Sequence, residues 1–261
     1  MADALISELN RVGFQPIFLP QTGVIPPELY NLTRKDHRPR LVRRGPLISY
    51  LPRPASFQVR RSSLADISNV QSTGKSLSAS AGFLTQCLAC LGITGLPKLD
   101  LNFVGAKKLV FGFNGVTSLR VDPAEIDHTL THLDLGAIPA EYAEQGFLHI
   151  AYEYAFAEAL VMRREDGHSF RISADSDIAN FIDLGTKASL SLDSSNTVSF
   201  RTAKGAEAPA FAYRAGRLMR DTRWRFYPEE FYRSGGAVDA RPYVLRRGLV
   251  LEAENDDTRD N

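Results

Sequence analysis

The segment FLHIAYEYAFAEALVM, residues 147–162, constrains this chain more than any other. As a strand, with alternate side chains on opposite faces, it lines up Leu148, Ile150, Tyr152, Tyr154, Phe156, Leu160 and Met162 on one face, interrupted by Glu158. His149, Ala151, Glu153, Ala155, Ala157 and Ala159 fall on the other. Strands of soluble domains usually stop after about 5–6 residues. A run of this length is therefore either a long strand in a twisted sheet or a segment suited to lipid, where a barrel strand needs about 9–11 residues and one apolar face. On the second reading Glu153 is tolerable toward a water-filled lumen. Glu158, on the apolar face, is the weak point unless a bulge or a strand end relieves it.

Composition permits a large folded core: 261 residues, 44% apolar and 23% charged. The net charge of +1 is unevenly placed. Residues 252–261 hold Glu252, Glu254, Asp256, Asp257 and Asp260 against Arg259, a net −4, which leaves +5 on residues 1–251. Such a balance does not point to nucleic acid. Two cysteines, Cys87 and Cys90, are too few for a disulfide scaffold and suit a reducing compartment. The opening MADALISELNRVGF lacks the basic and apolar regions of a secretory signal, and no apolar run reaches about 18 residues, so the expectation is a cytoplasmic chain without a membrane helix.

Leu5, Ile6, Leu9 and Val12 space out a short amphipathic helix, and FQPIFLP follows as a strand. RKDHRPRLVRRG then concentrates Arg34, Lys35, Arg38, Arg40, Arg43 and Arg44 against Asp36. It reads first as a solvated loop and second as a contact for acidic lipid. LISYL and SFQVR read as short strands, SNVQSTGKSLSAS as a loop and AGFLTQCLACLGITG as a buried or interfacial helix. Alternation returns at residues 98–103 and at Leu109, Phe111 and Phe113, and NGV looks like a turn. Asp122 and Pro123 supply an N-cap and a first-turn proline for a helix with Ile126, Leu130 and Leu133 buried. Asp166-Gly167 signals a hairpin into HSFRIS, and DSDIANFIDLG reads as a short helix. Two alternating strands joined by DSSN occupy residues 187–202, then PAFAYRAGRLMRD forms a strand or helix before the aromatic TRWRFYPEEFYR. The core is expected to end near Arg233, with SGGAVDARP as a linker. Mostly antiparallel strands with few helices make an α+β fold: a twisted central antiparallel β-sheet with peripheral helices.

Catalytic motifs are absent. STGKS has Asn69 where a phosphate loop needs its first glycine, and no strand leads into it. Cys87 and Cys90 sit in an apolar run and read as core residues, while His128 and His132, one helical turn apart, have no third metal ligand in view. Glu153 and Glu158, five residues apart, point to opposite faces and do not form an acid–base pair. The expectation is a protein that is not an enzyme, with no cofactor and no metal.

The order of the opening helix with GFQPIFLP, then GPLISYL, KKLVFGFNGV running into VDPAEIDHTL, LHIAYEYAFAEALVM, and PAFAYRAGRLMRD leading to WRFYPEEF resembles that of bacterial gasdermins, covering nearly the whole chain. The resemblance implies a pore-forming domain over residues 1–233, a protease-sensitive linker at 234–242 and an autoinhibitory C-terminal peptide at 243–261. It implies a cytoplasmic monomer activated by a protease encoded nearby. Residues 54–113 and 147–202 then become membrane hairpins, and many copies assemble a β-barrel pore in the inner membrane, killing the infected cell in anti-phage defence. The docking side chains of the peptide would be Tyr243, Val244, Leu245, Leu249, Val250 and Leu251, each contributing about 1.5–3 kcal/mol on burial before ordering costs. Arg233, Asp239, Arg241, Leu245, Arg246 and Arg247 are alternative cleavage positions, among which the sequence does not choose. Some relatives carry an acylated cysteine near the N-terminus; here the first cysteine is Cys87, and no lipidation is inferred. The competing reading is a soluble lipid- or peptide-binding α+β module that uses the apolar strand as a pocket wall.

Overall fold

The structure, a computed structural model, describes residues 9, 13–35, 38–51, 55–73, 108–131, 148–165, 188–194, 196–203, 205–220, 223–228 and 250–252. Among the described residues twelve strands build one sheet, and its centre is β7 (Leu148–Arg164), the 17-residue strand that the alternation at residues 147–162 predicts. At about 3.3 Å per residue it is roughly 55 Å long, and its two halves have different neighbours. The first half lies between β2 (Glu28–Lys35), paired at Leu148–Ala151, and β10 (Ala210–Arg220), paired at Leu148–Phe156. β6 (Lys108–Arg120) takes over from β2 at Glu153 and runs to Arg164, so the second half lies between β6 and β9 (Thr197–Thr202).

From β7 the path continues outward on both sides. β10 pairs with β1 (Gln15–Gln21) and with β11 (Trp224–Pro228); β2 pairs with β3 (Arg38–Pro46). β6 pairs with β4 (Arg60–Ser63) and β5 (Ile67–Thr73), and β9 with β8 (Ala188–Ser194). All these pairings are antiparallel. Among the described strands only β12 (Val250–Glu252) runs parallel to its partner, β3.

The helix α1 (Pro123–Thr131) forms where the cap signal places it: Asp122 Oδ1 accepts from Ala124 N at 2.9 Å, and Ile126 and Leu130 are buried. It covers one side of the first half of β7. There Leu148, Ile150 and Tyr152 pack with Val121, Ile126, Leu130, Trp224 and Phe226. On the other side of the sheet Ala151 and Tyr154 pack with Ile17, Tyr30, Leu41 and Tyr213.

This division corrects the single apolar face expected of β7. Arg214 pairs with Glu153 and Ala215 with Ala151, so Tyr152 is an extra residue on β7, a β-bulge. One inserted residue flips every later side chain to the other face. Leu148, Ile150 and Tyr152 therefore face α1, while Tyr154 faces the second cluster, with Phe156 packed against it. The small-residue face is not open to water either: His149, Ala151, Glu153 and Ala155 are all buried.

Local expectations fail where a neighbouring strand decides the conformation. LISYL is a 3-10 turn (Leu47–Tyr50), begun by Leu47 N donating to Pro27 O at 2.9 Å. SFQVR is irregular until β4 begins at Arg60, and part of the expected loop after it is β5. NGV does not turn: β6 runs through it, with Gly115 at φ +62°. The basic run is no loop but the β2–β3 hairpin, and of residues 187–202 the stretches 188–194 and 197–202 pair as the β8–β9 hairpin. PAFAYRAGRLMRD is a strand, not a helix. Apart from Leu9, which is helical and buried, the opening helix lies outside the described residues, as do the segments expected at 81–95, 98–103, 168–173 and 175–185.

Candidate functional site

Two features on the same sheet make the candidate site: the distal half around the end of β7 and the edge where β12 sits. In the distal half, register assembles an apolar row that no single segment displays. Phe111 pairs with Met162 and Phe113 with Leu160; Leu160 in turn pairs with Phe200. All five side chains are buried, and Phe211 stacks on Phe113 with ring centroids 4.3 Å apart. The backbone register continues the row to position 198 on β9 and positions 190 and 192 on β8. The opposite face carries Val110, Gly112, Val161, Arg163, Ser199 and Arg201, small or polar except for the two valines, with both arginines exposed. Five strands, in the order β5-β6-β7-β9-β8, thus form an amphipathic sheet with a 13-residue and a 17-residue strand among them.

The far end of this sheet is charged. Lys108 Nζ lies 2.6 Å from Glu165 Oε2, and Arg163 pairs with the same carboxylate. Asn196 closes the β8–β9 turn onto β7, its carbonyl accepting from Arg164 N at 2.9 Å. The two cations hold the Glu165 carboxyl below the usual carboxylate range, but at an exposed tip such pairs are worth little.

Where the distal half begins, Glu158 is exposed opposite Gly115, and a Cβ on Gly115 would lie 2.9 Å from Glu158 Oε2. At this level β7 passes from β10 to β9, and β6 from β4 to β5. The charge that interrupts the apolar face in the sequence thus stands at the junction of the two halves.

The first half holds its charges differently. Glu153 is 3% exposed, with Arg214 Nη1 at 3.1 Å and Arg120 Nη1 at 3.9 Å; the Arg214 guanidinium lies 4.3 Å from the centre of the Phe14 ring. Glu28, 1% exposed, accepts from Tyr154 at 2.8 Å, from Tyr30 at 3.0 Å and from Arg43 Nε at 3.0 Å, while Arg43 Nη2 bonds its other oxygen. The Tyr30 and Tyr154 hydroxyls are 2.7 Å apart. Burial and the Glu28 charge push the Tyr30 phenol well above its ordinary range, and the bond to Glu28 raises the Arg43 guanidinium, so the tyrosine stays neutral and the arginine charged. No local pattern signals this cluster, because residues 28, 30, 43 and 154 are brought together only by the pairing of three strands.

At the second feature Val250, Leu251 and Glu252 pair with Arg40, Leu41 and Val42. β12 also lies alongside β1, so the two ends of the path β1-β10-β7-β2-β3-β12 meet. Val250 and Leu251 of the expected docking set are thus on a strand. Tyr243, Val244, Leu245 and Leu249, the linker, and the cleavage candidates Arg233, Asp239, Arg241, Arg246 and Arg247 lie outside the described residues. Of the basic set, Arg34, Lys35, Arg38 and Arg40 are spread along both strands of the hairpin, while Arg44 is half-buried on β3. Arg43 is engaged by Glu28 and is not presented to lipid in this state, because a buried carboxylate needs its cation. Among the described residues no cluster of metal-ligating groups occurs and no helix is long and apolar enough to cross a membrane.

A family model described as the Bacterial Gasdermin Family matches residues 17–225. A gasdermin of Piscinibacter sakaiensis is 38% identical over 262 residues, covering 97% of this chain and 96% of that one. The solved structure of a bacterial gasdermin from Bradyrhizobium tropiciagri superposes with a TM-score of 0.54 at 13% identity, covering 87% of this chain and 92% of that one, a likeness of fold. Family match, relative and antiparallel architecture lead to one conclusion: this chain belongs to the bacterial gasdermin family, a family of pore-forming proteins.

Proposed function

We propose that this protein is an autoinhibited pore-former, held inactive by its C-terminal segment and released by a protease that cuts within residues 234–242. The observation that carries the reading is the distal row Phe111–Met162 and Phe113–Leu160–Phe200, an apolar face aligned across β6, β7 and β9 above a mostly polar one. A β-barrel wall needs that pattern: lipid-facing and water-facing side chains alternate, and every backbone group is paired within the sheet. Released copies would pair edge to edge, extend residues 54–113 and 147–202 across the inner membrane, and kill the cell in defence against phage. The acidic tail and the seat of β12 on β3 support an inhibitory role for residues 243–261, since removing a strand frees the edge that it covers.

The test is to insert a site for a specific protease in the linker, cut the full chain beside dye-loaded vesicles of bacterial lipid, and record leakage. Rapid leakage on cutting, with none from the intact chain, is the expected result. A cut protein that stays folded, monomeric and inert refutes the reading, and lipid that copurifies without leakage would favour a soluble lipid-binding module.

A further inference from the structure

The seat of β12 and the buried carboxylate cluster are adjacent on one strand. On β3, Leu41 and Val42 pair with β12 along one edge and with Leu32 and Asn31 of β2 along the other. Arg43, the next residue, holds Glu28. Leu41, opposite Leu251, is fully buried and packs in the cluster that contains Tyr30 and Tyr154. Among the described residues the β2–β3 hairpin is joined to β7 by a ladder of four residue pairs, Glu28–Asn31 with Leu148–Ala151. The Tyr154 hydroxyl reaches across to Glu28 from beyond the end of that ladder.

The cluster also needs all three strands in place. Three oxygen–oxygen contacts of 2.7, 2.8 and 3.0 Å join Tyr30, Tyr154 and Glu28, and the two phenol protons fill two of them at a time, each tyrosine donating either to Glu28 or to the other hydroxyl. Arg43 occupies both carboxylate oxygens from β3. Withdrawing any one strand leaves a buried charge or hydroxyl without a partner, a loss borne by the whole group.

We infer that the Glu28–Arg43–Tyr30–Tyr154 cluster couples the seat of the C-terminal strand to the central strand: β12 on β3 and the hold of the β2–β3 hairpin on β7 reinforce each other. Such coupling is reciprocal, since a change at either end must alter the other by the same factor. It is independent of the pore reading, because it concerns the closed chain alone.

Hydrogen exchange on the intact full-length protein, without membranes or protease, tests it. Tyr30→Phe and Tyr154→Phe each remove one hydroxyl and little else. Ser118→Ala, which removes the 3.0 Å contact with Ser62 on β4, is the control. Coupling predicts that both tyrosine variants speed exchange of the Val250–Glu252 amides by about fivefold or more, and the control does not. In return Leu251→Pro, which cannot donate to the β3 ladder, speeds exchange of the β7 amides around Tyr154. If the tyrosine variants speed exchange only in β2 and β7 and leave β12 unchanged, the cluster is a local brace and the inference fails. It fails equally if Leu251→Pro leaves the Tyr154 region unchanged.

Discussion

The two halves of β7 belong to one strand and are built on opposite terms. From Leu148 to Ala155 every residue is buried, both faces are packed, and the charge of Glu153 is matched by arginines on the neighbouring strands. From Ala159 onward one face joins an apolar row and the other carries exposed Arg163, while the strand ends in the charged group around Glu165. The first half is a core strand in the strict sense: closed packing and paired charges make it costly to move. The second half obtains its backbone partners from β6 and β9, and on the function proposed above these strands would enter lipid with it and keep its ladder intact. Along this strand of roughly 55 Å the partner on one side changes from β10 to β9 at Glu158, while β6 continues along the other from Glu153 to Arg164.

The comparison breaks most visibly at adjacent positions in the distal half. Leu160→Lys puts a cation in the apolar row, which against lipid costs about 2–4 kcal/mol per subunit; leakage after cleavage should fall at least about 30-fold by the same arithmetic. Val161→Lys, one residue on and facing the other way, should retain most of the leakage, with circular dichroism confirming that both full chains fold. Equal losses in the two variants would remove the facial distinction. In the first half the same kind of change acts on stability: Glu153→Ala leaves Arg214 largely buried without its carboxylate, and urea unfolding should show a loss of about 3–5 kcal/mol. A loss below about 1 kcal/mol would mean that this pair behaves as a surface salt bridge.

The boundary between the halves gives a smaller effect. Gly115→Ala places a side chain at φ +62° and crowds Glu158, for an expected loss of about 1–2 kcal/mol. Adding Glu158→Ala should restore the part of the crowding owed to the carboxyl group and leave the rest, since the Cβ 3.0 Å away remains, and thermal melts of the single and double variants measure that part. The smallest effect belongs to the lid over the first half: Asp122→Ala removes the cap of α1 and should cost about 1 kcal/mol by the same melts.

Much of this was legible in the sequence where local chemistry is sufficient. The length of β7, the cap and stripe of α1, and the pairs of strands at 188–194 with 197–202 follow from periodicity and turn signals, because side-chain alternation and capping are properties of a few consecutive residues. Which face a residue occupies was not legible. The bulge at Tyr152 is imposed by pairing with β10, so it moved Tyr154 and Phe156 away from Leu148, Ile150 and Tyr152 without any mark in the alternation itself. The same holds for the basic run, which a loop reading suits until β3 is paired on both edges, and for NGV, where β7 and the flanking strands keep β6 extended through a turn-forming triplet.

By itself, then, the sequence determined that this chain makes a long amphipathic strand, an α+β sheet and an acidic tail, since each is written in residue order and spacing. Only the tertiary structure decided that Phe111, Phe113, Leu160, Met162 and Phe200 form one row, that Glu28 gathers Arg43 and two tyrosines, and that Val250–Glu252 lies against β3. The physical reason is that strand pairing is non-local: a ladder joins residues scores of positions apart, and its register, not the order of residues, assigns each side chain to lipid, water or core.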